Sequence, residues 1–117
     1  MNRSLTLFDI FLQMLERNGS ERLQYIVRKL KTLMDLPECL EYLNFCLISD
    51  LGYIQRIRED VVDKAIDCLI SMYETEIEES FQASQPAKEN EKLAMKMYME
   101  SYRSAVKNEL NRRGLLL

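Results

Sequence analysis

The sequence has no histidine and no tryptophan, and only three glycines, two prolines and three cysteines among its 117 residues. Without histidine the chain lacks the commonest general base, the commonest neutral metal ligand and the side chain that titrates nearest neutral pH. A Ser or Cys nucleophile would have no imidazole to activate it. The glycines are isolated, so no G-x-G-x-x-G, no G-x-x-x-x-G-K-[ST] and no G-x-S-x-G motif occurs. These absences remove most hydrolase and metalloenzyme readings; no catalytic residue, metal ligand or cofactor is assigned, and the chain is expected not to be an enzyme. So little Gly and Pro also rules out a collagen-like or low-complexity chain.

Cys39, Cys46 and Cys68 are odd in number, form no C-x-x-C and each sit in an apolar run, as small buried hydrophobes do. No window holds 18 uninterrupted apolar residues, so no transmembrane helix is expected. Residues 5–15 are apolar but broken by Asp9 and Gln13, follow a single Arg3 and lack a small-residue cleavage site. That is not the pattern of a signal peptide. The expected location is intracellular, in the cytoplasm or nucleus.

What is present is amphipathic. The chain is 47% hydrophobic and 30% charged, with 16 basic and 19 acidic residues and a net charge of −3. The charge is segregated: residues 36–86 hold 3 basic against 11 acidic groups, whereas 87–117 hold 7 against 4. Helical spacing dominates. Residues 4–18 read as a first helix, apolar on more than one face, and Asn18-Gly19-Ser20 gives a stop and a new cap. In 20–35 the positions Leu23, Ile26, Val27, Leu30, Leu33 and Met34 line one face of a second helix. A third is expected over 37–49, interrupted by Ser49-Asp50-Leu51-Gly52. From Tyr53 to about Ser80 the pattern fits one long helix or two, with a break near Glu59-Asp60. Residues 82–90 are the least apolar and read as a linker, and a last helix over 87–113 stops at Gly114. No segment alternates with period two over strand length. The expected fold is all-α, a compact helical bundle of about five helices in a single domain, with 1–81 supplying the core helices.

Glu59, Asp63, Asp67, Glu74 and Glu78 advance in steps of 4, 4, 7 and 4, and therefore share one helix face. Lys92, Lys96, Arg103 and Lys107 share another, in steps of 4, 7 and 4. Each stripe alone reads as a solvated face. Laid antiparallel, within one chain or between two, the stripes would meet, fixing register and partner more than stability. Met95, Tyr98, Met99 and Tyr102 read as core or as an adaptable binding face, with Met97 off that stripe. Together with Leu7, Ile10, Phe11 and Met14 of the first helix, they suggest more apolar surface than a monomer of this length need hide.

Residues 30–73 carry Leu30, Leu33, Leu36-Pro37-Glu38-Cys39-Leu40, Leu43, Ile48, Ile57-Arg58, Ala65 and Leu69. This order resembles the L-x-x-L, L-P-x-T-L-x-x-L and L-R-K pattern of the N-terminal-domain family of transcription elongation factor S-II, to which integrase-binding domains belong. Cys39 stands where that pattern has Thr, extra residues precede Ile57-Arg58, and Tyr73 stands where Trp is common. The resemblance implies a small right-handed helical bundle that docks short linear motifs of nuclear regulators, without catalysis or cofactor.

The function expected from the sequence is therefore protein binding, as an adaptor or regulatory subunit that self-associates as a homodimer. The protein-binding residues expected are Leu7, Ile10, Phe11 and Met14 with Met95, Tyr98, Met99 and Tyr102. Nucleic-acid binding through the basic last helix is a second alternative, though the net negative charge argues against it.

Overall fold

The structure, a computed structural model, describes residues 4–18, 21 and 41–117. The expected second helix, over 20–35, apart from the helical Glu21, and the start of the third lie outside the described residues, as do Cys39 and the first part of the stretch resembling the S-II family.

Helix predominates. The described elements run β1 (Leu5–Thr6), α1 (Leu7–Asn18), β2 (Cys46–Ile48), α2 (Glu59–Ser80) and α3 (Gln85–Arg112), with residues 41–43 also helical. α1 starts three residues later than expected because Thr6 and Asp9 cap it reciprocally. The Asp9 carboxylate accepts from the Thr6 backbone N–H at 2.8 Å, and the Asp9 N–H donates to the Thr6 hydroxyl at 3.2 Å. Each side chain satisfies a backbone donor that the first turn of a helix leaves unpaired.

The described fold is mostly helical, as expected, and adds a small two-stranded sheet. β1 pairs antiparallel with β2, with Leu5 opposite Ile48 and Thr6 opposite Cys46. Thus 37–49 is not one helix: its last apolar run, Phe45-Cys46-Leu47-Ile48, is extended, with Leu47 buried and its neighbours half-buried. The chain then reverses in a tight hairpin. Gly52 takes φ +85°, a left-handed conformation that costs little without a Cβ, and its N–H donates to the Ser49 carbonyl at 2.9 Å. Residues 53–57, expected as the start of a helix, are extended instead. Ile54 bridges back to Ile48, and Ile57 bridges in parallel to Leu116.

α2 starts at Glu59 after the extended Arg58, so the chain breaks next to Glu59-Asp60, and both carboxylates favour the positive end of the helix dipole. It buries Val62, Ala65, Ile66, Leu69, Met72, Tyr73 and Ile77. The connection to α3 is residues 81–84, shorter than the linker expected over 82–90. Ser84 caps α3 by accepting from the Ala87 N–H at 3.4 Å, and Pro86 sits in the first turn, where its missing N–H costs nothing. α3 is 28 residues long, about 42 Å at 1.5 Å per residue. At its end Leu115 N–H donates to the Leu110 carbonyl at 2.8 Å, and Gly114 N–H to that of Asn111 at 3.0 Å, with Gly114 at φ +72°. This pair of bonds turns the chain sharply out of the helix. It delivers Leu115 to the core and the tail to Ile57.

One hydrophobic cluster joins all these elements. Leu7, Ile10, Phe11 and Leu15 of α1, Leu47, Ile57 and Leu115 of the extended segments, and the inward faces of α2 and α3 belong to it. The Phe11 and Tyr102 rings meet edge to face, with centroids 5.9 Å apart at 72°, and the Tyr102 hydroxyl donates to the Phe11 carbonyl at 3.2 Å. The long α2–α3 hairpin draws the molecule out to 50 × 27 × 24 Å, with a Cα radius of gyration of 14.9 Å. A compact domain of this length has about 13 Å. The molecule is thus more extended than the compact bundle expected, and the expected count of five helices rests partly on residues outside those described.

Candidate interaction surfaces

The two charged stripes meet within the chain. Going outward from the α1 end, Asp63 pairs with Lys107 at 2.9 Å, Asp67 with Arg103 at 2.7 Å and Glu74 with Lys96 at 3.5 Å, and Glu78 pairs with Lys92. Each step forward along α2 is matched by an equal step back along α3, as antiparallel helices require. Arg103 also reaches Asp63 at 2.7 Å, so its guanidinium bridges two carboxylates a helical turn apart. Glu59 is exposed and makes no ion pair among the described residues.

Ionisation follows from these contacts. Partial burial pushes the Asp63 carboxyl up, but the hydrogen bonds from Arg103 and Lys107 outweigh it and hold the group below its usual value. Lys92 and then Gln85 hold Glu78 low, and Glu78 in turn raises Lys92. At the far end of α3 Arg112 and Arg113 draw Glu109 down to about 2. Burial drives the Tyr102 phenol upward, with Tyr98 adding to it. Asp63, Glu78 and Glu109 are thus held in the state that pairs.

Most of the residues expected to bind a partner lie in the core. Leu7, Ile10, Phe11 and Met14 are buried, as are Met95, Met99 and Tyr102 on α3, while Tyr98 is half-buried. None of the seven buried side chains is open to a partner. The apolar surplus is absorbed by a covering that periodicity did not reveal: the extended segments around Leu47 and Ile57 and the tail at Leu115 close over the same cluster.

The exposed apolar groups lie elsewhere. The hairpin after β2 carries Leu51 at 83% exposure, Tyr53 at 73% and Ile54 at 65%. The outer face of α3 carries Leu93 at 59% and Met97 at 68%, four residues apart and so adjacent on the helix. Sequence reasoning missed the hairpin because it placed residues 53–57 in a helix. The signal available was Gly52 after Ser49-Asp50-Leu51, flanked by β-branched and aromatic residues on both sides.

A crevice of about 220 Å³ opens between α2 and α3 beside Tyr73, Ile77 and Phe81, where the Tyr73 hydroxyl donates to Glu91 at 2.8 Å. Among the described residues there is no group of three or more Cys, Asp or Glu suited to holding a metal ion, and no helix is long and apolar enough to cross a membrane. No known protein family, curated protein or solved structure matches this chain.

Proposed function

We propose that the protein is a non-catalytic protein-interaction domain, an adaptor or regulatory subunit, and that its binding element is the hairpin between β2 and α2. The observation that carries this reading is the exposure of Leu51, Tyr53 and Ile54 together on a tip of fixed geometry. Backbone bonds hold that tip on the body, from Ser49 N–H to the Tyr53 carbonyl at 2.9 Å and from Gln55 N–H to the Leu47 carbonyl at 2.7 Å. Apolar groups fixed in water at small entropic cost of ordering are what a binding site supplies. The test is affinity capture with the wild-type chain and with Leu51→Asp/Ile54→Asp, the fold of each checked by circular dichroism. A stoichiometric partner retained by the first and lost by the second supports the reading. Identical captures overturn it.

Self-association is the second reading, favoured by Leu93 and Met97 on the outer face of α3. Sedimentation equilibrium at micromolar concentration separates a dimer from the 13.9 kDa monomer. Docking of short linear motifs, as the S-II resemblance implies, is a special case of the first reading; in the stretch that carries it, residues 46–48 are strand and 53–57 extended. Nucleic-acid binding through α3 has less support, because Lys92, Lys96, Arg103 and Lys107 turn toward carboxylates of α2.

A further inference from the structure

Residues 53–57 form the outer strand of the hairpin, and their backbone is paired unevenly. On the inner side, Tyr53 and Gln55 bond Ser49 and Leu47. Farther along the strand, Ile57 donates to the Leu115 carbonyl at 2.8 Å and accepts from Leu117 N–H at 2.8 Å. The tail begins only at Leu115, because α3 occupies the chain before it. A strand alternates the direction of its backbone groups, so with Tyr53 and Gln55 turned inward, Ile54 turns its N–H and C=O outward. Among the described residues neither group has a partner. An unpaired donor and acceptor on an exposed strand edge are a template for another strand.

On the strand itself the charge is one-sided. Arg56 and Arg58 lie on residues 53–58 with no acidic residue among them. Arg58 is engaged by Asp60 at 2.9 Å, whereas Arg56 is exposed and makes no ion pair among the described residues. A second copy paired through Ile54 would bring another Arg56 and no acidic residue of that strand to meet it.

We infer that this edge accepts an extended acidic segment of a partner protein, which adds as a strand beside Ile54, packs an apolar residue on Ile54, and sets a carboxylate on the same face against Arg56. This is strand addition, in which main-chain bonds give affinity and alternate side chains give selectivity. It rests on the interaction reading above and specifies its mode and partner chemistry.

The probe is a synthetic extended peptide in which valine and glutamate stand two residues apart, and so on one face of the strand, followed by fluorescence anisotropy and by amide NMR of the full chain. Three analogues go with it: one N-methylated along its backbone, one with lysine in place of each acid, and one of the same composition in scrambled order. The expected result is saturable binding that shifts the Ile54 amide and slows its hydrogen exchange. Loss of one of the two main-chain bonds should weaken binding about tenfold in the N-methylated analogue, which cannot donate to the Ile54 carbonyl, and in Ile54→Pro, which removes a donor with no other partner among the described residues. Arg56→Glu should reverse the preference toward the lysine analogue. Equal binding of the N-methylated analogue, an unmoved Ile54 amide, or equal binding of acidic and lysine peptides overturns strand addition. So does a dimer that protects the Ile54 amide in the absence of peptide. A partner captured through Leu51 and Ile54 while the Ile54 amide stays open would leave the interaction reading standing and this one refuted.

Discussion

Replacing Arg103 by methionine tests whether the charged stripes hold the helical hairpin in register. The guanidinium donates to Asp63 Oδ1 at 2.7 Å, to the Asp63 carbonyl at 3.3 Å and to Asp67 Oδ1 at 2.7 Å. Its two carboxylate arms differ in environment. The Arg103 side chain is 18% exposed and that of Asp63 35%, but that of Asp67 is 63% exposed. Opposite unit charges about 4 Å apart attract by about 4 kcal/mol at an effective dielectric constant near 20, and by about 1 kcal/mol in bulk water. After desolvation and side-chain ordering, the Asp63 arm should retain about 1–2 kcal/mol and the Asp67 arm about 0–1 kcal/mol.

Methionine keeps most of the apolar stem. Lys107 remains on Asp63 at 2.9 Å, so that carboxylate is not orphaned and the cost of an unpaired buried charge, about 3–5 kcal/mol, does not arise. Arg103→Met should therefore cost about 2 kcal/mol. With no tryptophan in the chain, the assay is urea unfolding followed by far-ultraviolet circular dichroism, reading a lower midpoint at unchanged slope. Double-mutant cycles with Asp63→Asn and Asp67→Asn should give the larger coupling for Asp63, and raising salt to about 1 M should erase mainly the Asp67 coupling. A larger coupling for Asp67, or an Arg103→Met chain as stable as the wild type, would refute the reasoning.

Two further outcomes follow from the same geometry. Tyr102→Phe should cost about 1 kcal/mol by losing the hydrogen bond to the Phe11 carbonyl, and Phe11→Ala about 3–5 kcal/mol by opening the centre of the core, both read from urea midpoints; a Tyr102→Phe chain no less stable than wild type would show that bond to be idle. Acid should destabilise the fold in the carboxylate range. Because Asp63, Glu78 and Glu109 sit below their ordinary values when folded, the unfolded chain binds more protons there, and stability is lost as pH falls from about 4.5 toward 2. Glu109→Gln should flatten that decline between pH 4.5 and about 2, and an unchanged slope would contradict the role given to Arg112 and Arg113.

The parts of the fold legible in the sequence are those whose signals run over many turns. α2 and α3 have unbroken apolar spacing, and their charged positions repeat often enough to give the pairing register. The extended segments were lost because their signals are short. Cys46–Ile48 continues an apolar run that a helix could also accommodate, and Ile54, Ile57 and Val61 are spaced as helix neighbours although the chain changes conformation at Arg58. Local chemistry held the correction in both places: the Thr6–Asp9 cap fixes where α1 begins, and Gly52 marks the reversal. The burial of the expected binding residues follows from this. Leu7, Ile10, Phe11 and Met14 look surplus only if Leu47, Ile57 and Leu115 are assigned to helices and a tail that do not cover them.

The stripes also constrain how the chain can self-associate. The intervals of their paired members, 4, 7 and 4, read the same in both directions, so charge among these pairs alone does not choose antiparallel over parallel pairing, or one chain over two. The choice falls to residues 81–84. A connection that short permits only antiparallel neighbours and holds α3 at α2 with an effective concentration on the order of millimolar, far above a micromolar second copy. An intermolecular version of the same pairing would need α3 to swap between chains. The swap would draw Tyr102 from Phe11 and Leu115 from the core unless both were recovered from the partner. A dimer of unswapped chains must then use a surface the hairpin leaves outside, and Leu93 and Met97 on α3 lie there, apart from the strand edge at Ile54. Self-association and strand addition are therefore separable: Met97→Asp should abolish the first without weakening the second.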